Sequence, residues 1–122
     1  MSAYGQAWEA RDPAAAAALF TEDATYRSLI YEDPHLGHEG VTEYWRTVTA
    51  TQSDVRVRMG RPFVDGDRVA VEFWTNMTAD GAPVTLAGCL LVDFAADGRC
   101  RRLREYWNFT PESVEPPTEY GT

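Results

Sequence analysis

Three Asp-Gly pairs divide the second half of this chain: Asp65-Gly66, Asp80-Gly81 and Asp97-Gly98. Such a pair between alternating apolar and polar runs signals a hairpin, because a tight two-residue turn needs positive φ and glycine supplies it without steric cost. The pairs separate four runs, 54–64, 67–79, 83–95 and 99–109. This pattern predicts an antiparallel four-strand meander of fairly long, curved strands.

A strand points alternate side chains to opposite faces. On the second run Val69, Val71, Phe73, Thr75 and Met77 share one face, and on the third Leu86, Gly88, Leu90, Val92 and Phe94. On the first run Val55, Val57 and Met59 turn inward and Arg56 and Arg58 outward. The opposite face of the middle runs carries Glu72, Asn76, Thr85 and Ala87, but also Trp74, Cys89 and Leu91. Those three make it too apolar for plain solvent, so a homodimer through this outer face is expected.

The last run contains one anomaly. Leu103, Glu105, Trp107 and Phe109 fall on the inward face, a carboxylate among three large apolar groups. A carboxylate facing an apolar interior is costly unless it is paired, protonated or used. Two readings stay open. Glu105 is a general acid/base whose proton affinity is raised by desolvation towards neutral pH, or it is a structural acid neutralised by an arginine or by Tyr4.

The first half reads as helical over 2–10 and 13–21, with Asp12-Pro13 as the start signal of the second helix. Residues 23–28 suit a short strand that turns Tyr26 and Ser28 inward. Residues 29–40, with Asp-Pro and two glycines, read as a loop. Residues 41–51 place Val41, Trp45 and Val48 at helical spacing. From 111 to 122 the chain holds three prolines and three glutamates, and this tail is expected to fray from a single domain spanning 1–110. The sum is an α+β architecture in which a curved antiparallel four-strand meander plus a short strand wraps around three N-terminal helices, a cone whose mouth would hold a small ligand. Tyr4, Trp8, Trp45 and the loop residues Tyr31 and His35 are placed to close that mouth. His35, in Asp33-Pro34-His35, reads first as a solvated loop histidine and second as a catalytic one.

Composition narrows the partners. A net charge of −8 argues against nucleic acid or an anionic membrane surface. No stretch is long and apolar enough to span a bilayer, and the N-terminus lacks the basic start of a secretory signal. Eleven basic residues, all arginine, reflect coding bias of the kind a GC-rich bacterial genome produces. Cys89 and Cys100 lack metal-ligand spacing and read as free thiols of a reducing cytoplasm. No phosphate loop or ligand cluster is present, so no metal or other cofactor is expected.

Several short pieces, in their order and spacing, resemble the nuclear transport factor 2 superfamily in its SnoaL-like branch. They are Trp8-Glu-Ala-Arg-Asp12, Ala18-Leu-Phe-Thr-Glu-Asp-Ala-Thr25, His38-Glu-Gly40, Asp65-Gly-Asp-Arg-Val-Ala-Val-Glu-Phe73, Leu86-Ala-Gly88, Asp97-Gly-Arg99 and Glu105-Tyr-Trp107. The resemblance covers roughly residues 2–110. It implies the cone fold and a frequent use of the outer sheet face for dimers, but no single activity, since the superfamily includes isomerases, polyketide cyclases, epoxide hydrolases, dehydratases and non-catalytic members. Ketosteroid isomerases use an Asp base with a Tyr and a protonated Asp. Their tyrosine falls at Tyr4, their base at Ser28 and their second acid near Leu90, so only one of the three roles is kept. The Asp-Arg-Asp set of epoxide hydrolases finds no inward positions.

The expected function is therefore binding of a small hydrophobic molecule, aromatic or polyketide-like, in an aromatic-lined cavity, with proton transfer next to a carbonyl as the reaction. Glu105 would be the acid/base, with Tyr4, Tyr26 and more weakly His35 as catalytic partners. Trp8, Ser28, Tyr31, Trp45, Phe73, Leu90 and Trp107 would contact the ligand. The alternative is a non-catalytic ligand-binding or dimerisation module.

Overall fold

The computed structural model describes residues 2–122. Two short helices open the chain, α1 (Ser2–Glu9) and α2 (Pro13–Ala18). Asp12 caps α2 by accepting a hydrogen bond from the Ala15 amide at 3.1 Å. The helix stops three residues short of its sequence expectation because Phe20 pairs with Cys100, and strand pairing overrides the local helical pattern. Then come β1 (Phe20–Arg27), β2 (His35–Leu36) and α3 (Gly37–Thr49). The last five elements are β3 (Gln52–Met59), β4 (Phe63–Asp65), β5 (Arg68–Ala79), β6 (Ala82–Phe94) and β7 (Cys100–Thr110).

The expected meander is present: β3, β5, β6 and β7 pair antiparallel in sequence order. At Asp80-Gly81 both residues take positive φ (51° and 79°) and close a two-residue turn between the paired Ala79 and Ala82. The first run differs from expectation. Gly60-Arg61-Pro62 splits it into β3 and β4, both of which pair with β5. The sheet is also mixed, because β1 lies parallel to β7 and brings the N-terminal third against the last strand.

The sheet curls without closing, in the order β2-β1-β7-β6-β5-β3. Gly88 marks the tightest point. A methyl group built there would lie 2.1 Å from the Tyr106 carbonyl oxygen and 2.7 Å from Trp107 Cα, so only glycine allows β6 and β7 to approach so closely. The core fills the concave side, with Phe20, Tyr26, Val41, Val71, Phe73, Leu90 and Leu103 among its fully buried members. Gly5 lets α1 lie directly on the Val57 and Met59 side chains of β3.

Residues 111–122 do not run free, as their composition suggested. They cross the convex face of the sheet. The Trp74 indole N–H and the Asn76 amide both donate to the Val114 carbonyl at 2.9 Å. The Tyr120 hydroxyl reaches the Phe73 and Gly88 carbonyls at 2.8 and 2.9 Å. The Gly121 amide donates to the Glu72 carboxylate at 3.1 Å, and Tyr120 stacks edge-on against Trp74. Low hydrophobicity hides such a segment from a composition argument, because backbone and side-chain hydrogen bonds with two aromatic rings hold it. Trp74, expected to face a second copy of the chain, is covered by the chain's own tail.

Candidate functional site

A cavity of about 450 Å³ opens between the concave face of the sheet, α1 and α3. Its deep end is organised by Glu105. Strand parity turns this residue inward from β7, while α1 delivers Tyr4 and β1 delivers Tyr26. The Tyr4 hydroxyl donates to Glu105 Oε1 at 2.6 Å, and the Tyr26 hydroxyl donates to the same oxygen. The two hydroxyls stand 3.0 Å apart. Both phenols thus converge on one carboxylate oxygen, and Glu105 accepts no side-chain hydrogen bond at Oε2 among the described residues.

Burial raises the proton affinity of Glu105 above that of an ordinary carboxylate, and the hydrogen bonds from Tyr26 and Tyr4 offset part of that rise. The phenols of Tyr4 and Tyr26 are pushed well above their ordinary value by burial, and then by the neighbouring carboxylate charge. They remain donors, and Glu105 is the group that can take up or release a proton here. Of the two partners the structural reading allowed, the described residues supply Tyr4 and not arginine: the ion pairs join Arg46, Arg58, Arg68, Arg99 and Arg102 to other acids, so Glu105 as a Tyr4-held structural acid and as an acid/base both stay open.

A second polar group lies towards the mouth. His35, on β2, sits with its Nε2 3.5 Å from Ser28 Oγ. Its ring lies over Tyr44 of α3 with centroids 4.4 Å apart and planes 32° apart, and Tyr44 in turn packs on Tyr26 at 5.2 Å. Burial lowers the proton affinity of His35 more than the charge of Glu32 raises it. Tyr44 is pushed up by burial first and by Glu105 second.

The remaining wall is aromatic. Tyr4, Trp8 and Trp45 meet nearly at right angles, with interplanar angles of 80°, 85° and 85° and centroids 5.6–6.3 Å apart. Edge-to-face contacts set the positive ring edge against a negative face and fix all three orientations. Phe73 tilts against Trp8 at 5.9 Å. The Trp8 indole N–H donates to Gln52 Oε1 at 3.0 Å, whereas Trp45 Nε1 is buried without a partner among the described residues.

The structure brings Glu105, Tyr4, Tyr26, His35, Trp8, Ser28, Trp45, Phe73 and Trp107 to one cavity. Trp107 is a rim residue, 38% exposed, and its indole N–H donates to the Ser28 carbonyl at 2.8 Å. Two expected ligand contacts are corrected. Tyr31 is fully exposed, because the turn closed by the Glu32 amide on the Leu29 carbonyl points Tyr31 to solvent and aims Leu29 and Glu32 at the cavity. Leu90 is completely buried in the core beneath the cavity floor and does not line it. Phe109, placed inward by parity, lies beyond the rim and is exposed.

Sequence reasoning missed Tyr44 and Gln52. Tyr44 lies three residues after Val41 and four before Val48, so a slightly wider helical stripe would have included it. Gln52 had no such signal. Counted back from Val55, position 52 faces outward, but Asp54 adopts φ 51° and the β3–β5 register shifts between Ser53 and Arg56. That bulge turns Gln52 inward. Among the described residues no group of three or more His, Cys, Asp or Glu side chains is placed to hold a metal ion.

Comparison with known proteins places this geometry. The structure is similar to a hypothetical protein with a ketosteroid isomerase-like fold from Catenulispora acidiphila, solved with trimethylamine, at 22% identity, a TM-score of 0.78, and 86% of this chain against 82% of that one. It is similar to the epoxide hydrolase/cyclase-like enzyme SalBIII of salinomycin pyran-ring formation, at 22% identity, a TM-score of 0.77 and coverages of 88% and 86%. A third similar structure is an epoxide hydrolase from Mycobacterium tuberculosis, at 20% identity, a TM-score of 0.72 and coverages of 88% and 78%. At these identities the likeness shows the fold. No curated protein matches the sequence. The family description that does match is the SnoaL-like domain, over residues 1–103. Since that span takes in both helices of the N-terminus, the cavity helix α3 and most of the meander, the chain belongs to the SnoaL-like domain family, within the nuclear transport factor 2-like superfamily.

Proposed function

We propose that the cavity binds a small hydrophobic carbonyl compound, aromatic or polyketide-like, and that Glu105 is the general acid/base for proton transfer at the carbon next to the carbonyl. The observation that carries this reading is the Glu105 cluster: a buried carboxylate held by two phenols, without a cationic partner among the described residues, at the closed end of a cavity large enough for a ligand.

The chemistry follows from where the charge goes. As Oε2 takes the substrate proton, negative charge leaves the carboxylate and develops on the carbonyl oxygen. Glu105 then needs its two donors less, and the phenol of Tyr4 or Tyr26 can follow the charge to the new oxyanion. Stabilisation that grows along the reaction coordinate in this way accelerates the step instead of merely tightening binding. His35, neutral and close to Ser28 and Tyr44, is placed to relay protons to solvent at the mouth. The similar SalBIII, described as epoxide hydrolase/cyclase-like, supports a cyclase-type reaction, and the trimethylamine complex of the Catenulispora protein supports a small-molecule site in this fold.

The second reading is a non-catalytic ligand-binding or dimerisation module. Ser28 and Leu90 favour it, since they stand where ketosteroid isomerases carry acids. Under either reading a homodimer would use the part of the outer face the tail leaves open, around Leu91 and the exposed Phe63 and Val64, rather than Trp74. The two free thiols, Cys89 and Cys100, fit a reducing cytoplasm.

Exchange of the α-hydrogens of 2-tetralone into D2O, followed by NMR, tests the proposal. The wild-type chain is expected to accelerate exchange, and Glu105→Gln to lose a factor of about 10²–10⁴ while remaining folded. Equal acceleration by the two proteins would remove Glu105 from the chemistry and leave the binding-module reading.

A further inference from the structure

The cavity is electrically one-sided. Among the described residues its two carboxylate side chains are Glu105 at depth and Glu32 at the mouth, and no arginine lines it. Anions are disfavoured in such a place, because each carboxylate would face another negative charge with no cation between them. The walls add to the bias. Tyr4, Trp8 and Trp45 stand mutually near-perpendicular beside Glu105, and Tyr26, Tyr44 and Phe73 add further rings to the lining. Aromatic faces carry negative quadrupole density, which attracts a cation that has shed its water.

We propose that this cavity is a receptor for an N-methylated ammonium ion, quaternary or tertiary, whose cationic head sits beside Glu105 against the aromatic corner of Tyr4, Trp8 and Trp45. This rests on the reading that the cavity is a ligand site, and not on any catalytic role. Methylation matters because much of the wall is aromatic or aliphatic, and the inner acceptors Glu105 Oε1 and Gln52 Oε1 are already engaged by Tyr4, Tyr26 and Trp8. A primary ammonium would give up three water hydrogen bonds and find few replacements, whereas a tetraalkylammonium donates none and needs only charge and ring faces.

A cation at this position favours the ionised form of Glu105, so binding tightens as pH rises through the raised proton affinity of that group. The titratable groups facing Glu105 are Tyr4 from α1, Tyr26 from β1 and Tyr44 from α3, all held protonated. His35 and Glu32 lie towards the mouth. A protonated His35 would repel the ligand at low pH in the same direction, so loss of the pH dependence in Glu105→Gln is what separates the two residues.

Isothermal titration calorimetry of the full chain with choline and with its neutral carbon isostere, 3,3-dimethylbutan-1-ol, tests the proposal. Choline keeps its charge at every pH, so any pH dependence belongs to the protein. Choline is expected to bind at least about tenfold more tightly than the isostere. Glu105→Gln should abolish most of that preference, bringing the two affinities close together, and the exposed Glu32→Gln should weaken choline by only a few-fold. Equal affinities for the two compounds would overturn the ammonium assignment and leave the cavity as a ligand site. Binding of neither would overturn both. Should Glu105→Gln fail to fold, the choline-to-isostere ratio of the wild-type chain decides alone.

Discussion

The two faces of the sheet are built from the same strands and behave in opposite ways. On the convex face, polar groups find partners in the tail: the Phe73 and Gly88 carbonyls, the Trp74 indole, Asn76, Thr85 and Glu72 are all engaged by residues 112–121. On the concave face, a carboxylate and two phenols bond to one another, and a histidine meets Ser28, around an open space. Bonds made within the chain contribute to stability, whereas a face whose polar groups end in a cavity still has bonds to offer a ligand. The anomaly in the strand pattern and the drab tail are therefore complementary: the tail closes one side of the sheet, and the cavity opens on the other.

The comparison can be broken most severely at Gly88, where both faces share one backbone. Gly88→Val should cost more than about 3 kcal/mol, because the added carbons meet β7 backbone that has no room to retreat. Thermal denaturation followed by circular dichroism should show a melting point lower by ten degrees or more, on the order expected for a chain of this size. A stable variant would mean that the curl of the sheet is softer than its geometry indicates.

Removal of residues 111–122 isolates the convex face. Lost hydrogen bonds and the uncovered Trp74 should lower stability by about 2–4 kcal/mol. Ligand affinity measured at low temperature, where the fold persists, should change little. A loss of binding as large as the loss of stability would show that the two faces are not separable.

Glu105→Gln isolates the concave face. The folded-state proton affinity of Glu105 is raised, so its favourable contribution is fully present below the ordinary value near 4.5 and is lost as pH rises through the folded value. The wild-type melting temperature should therefore fall across that window, while the variant, which cannot ionise, should show a flatter profile. At neutral pH the two should differ by no more than about 1 kcal/mol, with any advantage going to glutamine. A strongly destabilised variant would return Glu105 to a structural role. The smallest effect is expected at Tyr31→Ala, within about 0.5 kcal/mol in stability, with unchanged ligand affinity, since the ring touches solvent alone.

Much of this was legible in the sequence wherever a local rule acts alone. Asp-Gly pairs announced the turns, and period-two alternation placed Glu105, Phe73 and Leu103 on the inner face. The Asp12-Pro13 signal located α2, although not its end. What was hidden depends on non-local pairing. The parallel contact between β1 and β7 cut α2 short, the bulge at Asp54 reversed the facing of Gln52, and a turn in the 28–34 loop exchanged Tyr31 for Leu29 and Glu32 at the mouth. Leu90 was assigned to the correct face but the wrong depth, because parity says which side a residue takes and nothing of how far it lies from the opening. The tail was misjudged by its composition, which measures how little it can bury and not how well it can hydrogen-bond.

The parallel pairing of β1 with β7 also orders events in time. Tyr26 and Glu105 are 79 residues apart in sequence, and Tyr4 and Glu105 are 101 apart. The meander can form from neighbouring hairpins, but Glu105 stays hydrated until the chain's two ends meet, the slow step expected of contacts so distant in sequence. Between its ordinary and its raised proton affinity, Glu105 must therefore gain a proton as that last docking occurs. Proton uptake during refolding, read with a pH indicator in a stopped-flow instrument, would serve as a clock for completion of the site, lagging behind the appearance of sheet structure.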